Sequence, residues 1–221
     1  MSTVGIVCEY NPFHKGHLYQ IEQAKKLTEA DHVVCFMSGN FLQRGIPALA
    51  DKFTRAEAAI KCGVDVIFEI PFVYSTSSAR DYATAAVTMM DMSGAIDFIS
   101  FGAETDDLVL LSQIADIVEN EPPQVSDSIR RSVASGMTYG AARATAIEDY
   151  LQKKNIVRNN PSNSSSSVSK SSISSVMSSP NNILAIEYLA ALKRIKSKIK
   201  PVRIKRIISD YNSNEAVHDI C

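Results

Sequence analysis

Several things are missing from this chain of 221 residues. No apolar run approaches the roughly 18 uninterrupted residues a membrane-spanning helix needs. The first ten residues lack a basic start followed by a long apolar stretch, so no secretion signal is expected. There are four cysteines, Cys8, Cys35, Cys62 and Cys221, and no C-x-x-C pair. Their wide spacing and mostly apolar surroundings read as small hydrophobes in a reducing compartment rather than as a disulfide framework or a zinc site. With 45% hydrophobic and 21% charged residues, general disorder is excluded and a sizeable core is affordable, as one large domain or one and a half.

Charge is scarce only on average. The formal net charge is -1, but residues 1–150 carry -9 and residues 151–221 carry +8. Such asymmetry hints at a polyanion-binding arm attached to an ordinary domain.

Short apolar runs alternate with longer amphipathic segments through the first hundred residues. Val4–Cys8, His32–Met37, Asp65–Ile70 and Asp97–Phe101 read as strands. Helices are expected at about 16–29, 51–62 and 77–92. Strands apolar on both faces and separated by helices imply a doubly wound parallel α/β sheet covered on either side. From Thr105 to about Lys154 the pattern is helical, with a break at Pro122–Pro123 and resumption at Ser126 and Tyr139. Between Ser162 and Ser179, 12 of 18 residues are Ser, with no apolar period, which predicts a flexible excursion. Order is expected to return at Pro180, where Asn181 or Asn182 would cap a helix through Leu192, followed by a strand over Val202–Ile208. The expected organisation is therefore an α/β domain over 1–155, a Ser-rich insertion over 156–179, and a basic helix and strand over 180–221 that complete the sheet.

The most informative stretch is Gly5-Ile6-Val7-Cys8-Glu9-Tyr10-Asn11-Pro12-Phe13-His14-Lys15-Gly16-His17. It places H-x-G-H just past the first strand and at the start of the first helix, where open α/β sheets bind ligands. A helix amino terminus offers N–H groups and partial positive charge, Gly16 admits close backbone approach, and two imidazoles at i and i+3 share one side of the turn. A zinc pair has the same residues, but no nearby cysteine or third histidine completes it and the H-E-x-x-H spacing is absent.

In this context H-x-G-H is the signature of the nucleotidyltransferase superfamily, relatives of class I aminoacyl-tRNA synthetases. The longer string Glu9-Tyr10-Asn11-Pro12-Phe13-His14-x-Gly16-His17-Leu18-Tyr19 resembles one branch closely, the bacterial tRNA(Met) cytidine acetate ligase family. Also similar are Met37 through Gly45 with Pro47-Ala48, Lys52 with Thr54-Arg55-Ala56-Glu57, Gly63 through Pro71, Phe101 through Glu104, and Pro180-Asn181-Asn182-Ile183-Leu184. The resemblance covers nearly the whole chain outside the Ser-rich segment, with the motifs in family order.

This resemblance implies a HUP-type, Rossmann-like nucleotidyltransferase fold and a cytoplasmic enzyme. With ATP, and Mg2+ as its usual companion, it would convert acetate to acetyl-adenylate and acetylate N4 of the wobble cytidine of elongator tRNA(Met). Carried over by position, the ATP site comprises Val7, Cys8, Glu9, Tyr10, Asn11, Pro12, Phe13, His14, Lys15, Gly16, His17, Leu18, Tyr19 and Gln20, completed by Gly102, Asn182 and Arg206. His14 and His17 are the expected catalytic pair, stabilising charge on the phosphates. Glu9 and Glu104 are weaker candidates for orienting the ribose or base.

Arg44, Lys52 and Arg55 are candidate tRNA contacts near the ligand edge. Eight cations fall within the 14 residues from Lys193 to Arg206, with no acid among them; of these Lys196, Lys198 and Lys200 are further candidate tRNA contacts. No interleaved aromatics suggest base stacking there.

Members of the branch continue, past the point where this chain stops at Cys221, into a Ser-x-Thr-x-Ile-Arg signature and a helical domain. A C-terminally truncated member is the expectation. Two rivals stay open: an H-x-G-H adenylyl- or cytidylyltransferase acting on a small phosphorylated substrate, and a non-catalytic nucleotide- or RNA-binding remnant.

Overall fold

A computed structural model describes residues 1–153 and 173–205. Five strands are assigned: β1 Thr3–Cys8, β2 His32–Ser38, β3 Val66–Ile70, β4 Phe98–Ala103 and β5 Lys200–Lys205. Nine helices are described: α1 Lys15–Thr28, α2 Lys52–Lys61, α3 Phe72–Ser75, α4 Ala79–Ser93, α5 Leu108–Asn120, α6 Pro123–Ala134, α7 Tyr139–Lys153, α8 Ile173–Ser178 and α9 Pro180–Arg194. The strands form one parallel sheet in the order β3-β2-β1-β4-β5. With β1 central and the order reversing beside it, this is the doubly wound arrangement expected from the alternation of strands and helices.

Strand residues alternate between two cores. Val4, Ile6 and Cys8 of β1, with Val33, Cys35 and Met37 of β2, face Ile21 and Ala24 of α1 and Ala59 of α2. Val34, Phe36, Ile99 and Phe101 face the other layer, built from α4, α5, α9 and the helices packed on them. α9 is buried almost all round from Ala185 to Leu192, which explains its weak amphipathic pattern. Among the described residues no helix is long and apolar enough to cross a membrane.

Four expectations change. Among the described residues β3 is an edge strand of the sheet, and its Val66 and Phe68 are exposed rather than covered. The Ser-rich excursion does not run to Ser179: α8 covers Ile173–Ser178, because Ile173 and Val176, one turn apart, both reach the core. α6 begins at Pro123 rather than Ser126, proline being suited to a first helical turn. α9 starts at Pro180 behind Ser179, which makes no side-chain cap, so neither Asn181 nor Asn182 is its N-cap. β5 ends its described course at Lys205, and the rest of the expected strand to Ile208 lies outside the described residues.

Candidate functional site

In a parallel sheet all strands end on one edge, and H-x-G-H lies there directly after the central β1. The chain leaves β1 through Tyr10, at φ 46°, and a cis Asn11–Pro12 peptide bond. It then enters α1 with His14 as N-cap. His14 Nδ1 accepts from the Gly16 N–H at 3.1 Å, and His17 Nδ1 accepts from the His14 N–H at 3.3 Å. The two histidines thus form a reciprocal capping box, the place usually taken by Ser/Thr and Glu/Gln. Their rings stack with centroids 3.7 Å apart.

This hydrogen bonding assigns the protonation. An Nδ1 that accepts is unprotonated, so each neutral imidazole carries its proton on Nε2. The pair therefore presents two N–H donors beside the N-terminus of α1, where the helix dipole adds partial positive charge. Gly16 leaves room for this pose: a Cβ there would stand 2.9 Å from His14 Cε1, so the folded-back ring would have to shift.

Tyr10 supports the pair from below. It is buried, packs against Phe13 and His17 at 4.9 and 4.8 Å between centroids, and its hydroxyl lies 3.2 Å from Cys35 Sγ. Burial, reinforced by Cys8 and Cys35, pushes its pKa far up, so the phenol stays neutral and is no proton carrier. Cys8 and Tyr10 face the core, so their side chains support the loop from within rather than line its surface.

Arg55 was expected to touch RNA, and its surroundings rule that out. Only 2% of it is exposed. Nε donates to the Ala50 carbonyl at 3.1 Å, one terminal nitrogen to the Glu9 carbonyl, and the other to the carbonyls of Ser38, at 3.2 Å, and Gly39. The guanidinium therefore gathers the backbone just past β1 and β2, where strands leave carbonyls without partners. Burial lowers its pKa, with Cys8, Glu9, Asp51 and Glu69 opposing. No sequence pattern distinguishes such an arginine from a solvated one on α2.

The other candidates divide by location. Glu9 accepts from the Gln43 N–H at 2.7 Å, and Asn11 Oδ1 from the Leu49 N–H at 2.7 Å. The loop between β1 and α1 is thus tied to the loop after β2, a link invisible in sequence. Lys52 is ion-paired with Glu69 at 2.5 Å, whereas Arg44 is exposed at a turn closed by Gly45 at φ 74°. Val7 lies on β1, Lys15 is exposed at the start of α1, and Leu18, Tyr19 and Gln20 continue that helix.

Gly102 lies near the end of β4, two residues past Ser100, which pairs with Ile6 of β1. Asn182 is nearly inaccessible, and its Oδ1 accepts from the Glu104 and Thr105 N–H groups at 2.9 and 3.2 Å. In return Glu104 accepts from Asn181 Nδ2 at 2.6 Å and the Asn182 N–H at 3.0 Å. The motif therefore locks α9 onto the end of β4, and Glu104 is committed to that lock. Arg206 lies outside the described residues.

The basic segment is half neutralised. Lys193 pairs with Asp116, Arg194 with Glu119, and Arg203 and Lys205 with Asp106. Lys196, Lys198 and Lys200 are exposed, but they lie just before or at the first residue of β5 and so occupy the opposite edge of the sheet from H-x-G-H. The length of a six-residue strand, roughly 20 Å, separates the two.

Comparison with known proteins agrees with this geometry. A model of the HIGH Nucleotidyl Transferase family matches residues 1–221. A tRNA(Met) cytidine acetate ligase of Caldanaerobacter subterraneus subsp. tengcongensis is 45% identical over 213 residues, which are 96% of this chain and 49% of that protein. The enzyme of the same name from Acetivibrio thermocellus is 40% identical over 220 residues, covering 100% of this chain and 49% of its own. The crystal structure of Thermotoga maritima TmcAL bound with alpha-thio ATP superposes with a TM-score of 0.83 at 34% identity, over 96% of this chain and 48% of that one. The chain spans about half the length of the curated relatives it matches. With a family model matched from end to end, the H-x-G-H capping box at the edge of a five-stranded doubly wound sheet, and a close structural neighbour, the chain belongs to the HIGH nucleotidyl transferase family.

Proposed function

We propose that this chain carries the ATP-using part of a cytoplasmic tRNA(Met) cytidine acetate ligase. The observation that carries this reading is the stacked pair His14 and His17, whose Nδ1 atoms accept backbone N–H groups at the N-terminus of α1. Such a site suits a triphosphate, and the relatives' names and the ATP analogue bound by the Thermotoga maritima protein supply the context.

In the proposed reaction an acetate oxygen attacks the α-phosphorus of ATP and pyrophosphate departs, leaving acetyl-adenylate. The N4 amine of the wobble cytidine of elongator tRNA(Met) then attacks the acetyl carbon, AMP leaves, and the amine loses a proton. His14 and His17 donate from Nε2 to phosphate oxygens as charge moves onto the departing pyrophosphate. The stretch from Val7 to Gln20 lines the phosphates, and Gly102 gives the nucleoside room beside β4. Asn182 acts through the β4–α9 lock, and Arg206 is proposed to complete the pocket. Among the described residues no group of three His, Cys, Asp or Glu side chains could hold a metal, so these residues offer Mg2+ no protein cage and no step here is routed through it. Lys196, Lys198 and Lys200 would meet phosphates of the tRNA far from the reacting base, with Arg44 near it. Lys52 is proposed to contribute only if RNA displaces Glu69 from it.

The test is acetate-dependent exchange of labelled pyrophosphate into ATP by the 221-residue chain. Exchange with acetate alone is the expected result. Exchange only with a phosphorylated metabolite, or ATP binding without exchange, overturns it.

A further inference from the structure

One backbone angle beneath the candidate site differs in kind from the rest. Among the described residues, those other than glycine with positive φ are Tyr10, Glu29, Glu121 and Lys196. Glu29 and Glu121 are the left-handed C-caps of α1 and α5, and Lys196 directly follows the C-cap of α9, so all three end helices in a common way. Tyr10, at φ 46°, ends no helix. A bulky side chain in that region costs energy and persists only where its surroundings impose it.

The Arg55 guanidinium lies where it can impose that angle. One terminal nitrogen donates to the Glu9 carbonyl, which shares a rigid peptide plane with the Tyr10 nitrogen. The rotation of that plane about the N–Cα bond is φ of Tyr10, so a fixed carbonyl fixes the angle. The guanidinium cannot swing away with the loop, because it also holds the carbonyls of Ala50 at 3.1 Å, of Ser38 at 3.2 Å, and of Gly39. Its own turn of α2 is anchored by Asp51, which accepts from the Phe53 and Thr54 N–H groups at 2.9 and 3.1 Å. From the other side Glu9 Oε1 accepts from the Gln43 N–H at 2.7 Å. Glu9 is thus held through both its main chain and its side chain.

The consequence reaches His17. In this conformation the Tyr10 ring is buried, with its hydroxyl 3.2 Å from Cys35 Sγ and its centroid 4.8 Å from that of His17. Were Tyr10 to relax, the floor under His17 would move, and with it the 3.7 Å stack on His14, since close-packed rings pass on a displacement.

We infer that Arg55 is a positioning residue for the candidate site: through the Glu9 carbonyl it keeps Tyr10 left-handed, and so sets the place of the His17 ring. For the effect on the reaction, though not for the geometry, this rests on the proposed function.

The test compares Arg55→Met and Arg55→Lys with the parent in the full chain. Sucrose, which favours the compact state, is present throughout, and near-ultraviolet circular dichroism checks folding. Ile147→Ala, fully buried in the other core layer, is the control that loses stability away from this path. The first readout is NMR of the histidine ring protons. His17 lies among the rings of Tyr10, Phe13 and His14, so its shifts report its place, and His32, at the start of β2 on the opposite edge, is the internal reference. Both Arg55 variants should move the His17 signals and leave those of His32, while Ile147→Ala should move neither. The second readout is pyrophosphate exchange. Its kcat should fall about a hundredfold in both Arg55 variants with KM for ATP little changed, because the histidines act on charge that develops as pyrophosphate departs. Ile147→Ala should exchange at the parent's rate.

A folded Arg55 variant with unmoved His17 signals, or with full exchange, overturns the inference. The same losses in Ile147→Ala do so too. Arg55 variants that stay unfolded in sucrose also overturn it, since the residue would then hold the fold rather than place a ring within it. A parent that fails to exchange while His17 moves as expected refutes only the proposed function. A parent that exchanges while His17 stays in place refutes only the role of Arg55.

Discussion

The two edges of the sheet are finished with opposite chemistry. A parallel sheet leaves N–H groups without partners where its strands begin and carbonyls where they end. At the starting edge carboxylates close the gaps: Asp31 accepts from the Ser2 N–H, Asp97 from Thr3 and Asp65 from Val33, each at 2.8 Å. At the finishing edge one buried cation, Arg55, gathers four carbonyls. The first arrangement uses solvated groups and seals the fold. The second ties the ends of β1 and β2 together beneath the loops that carry H-x-G-H and Arg44. The two edges thus differ in what is buried beneath them as well as in what they expose.

The largest break in this comparison is expected from His17→Ala. Acetate-dependent pyrophosphate exchange should fall by about two to three orders of magnitude, the scale set by removing a preorganised charge-stabilising donor. The melting temperature should move only by the modest amount a lost cap explains. Next, Arg55→Met should cost about 3 kcal/mol or more, because a buried hydrogen-bonding charge disappears and its carbonyls stay behind. Urea denaturation should show this, and Arg55→Lys should not rescue it, since one ammonium cannot match the guanidinium fork. If Arg55→Met is as stable as the parent, the contrast between the edges is wrong.

A smaller effect sharpens the contrast. Replacing Lys196, Lys198 and Lys200 together by Ala should weaken whole-tRNA binding by roughly threefold to tenfold at low salt and flatten its salt dependence. Acetate-dependent pyrophosphate exchange should not change, because these lysines lie on the edge away from H-x-G-H. The smallest effect concerns pH. The Val33 N–H bond, and after it His32, hold the Asp65 carboxyl below its ordinary value of 3.8. A carboxylate depressed in the folded state contributes stability that is fully present above its unfolded pKa and is lost as pH falls through the folded value. The urea midpoint should therefore fall more steeply below about pH 4 in the parent than in Asp65→Asn.

Much of the architecture was legible because it rests on short-range pattern. Four of the five strands and their parallel pairing follow from apolar runs separated by helical periodicity, and H-x-G-H after a strand marks the ligand edge without any coordinates. β3 misled because a continuous apolar run reads as covered, whereas coverage depends on neighbours that sequence does not name. The serine count hid α8 because two apolar residues suffice to dock a single turn. Lys193, Arg194, Arg203 and Lys205 looked like a polyanion-binding run because their acids stand between 75 and 99 residues away in the chain, on α5 and after β4.

The sequence by itself determined which residues could bind a triphosphate, since the N-terminus of a helix and two histidines at i and i+3 are local facts. Only the tertiary structure decided that Arg55 serves the backbone rather than solvent, and that the exposed Lys196, Lys198 and Lys200 and the candidate site lie on opposite edges. Those outcomes depend on strand order and burial, and both are set by contacts between residues far apart in the chain.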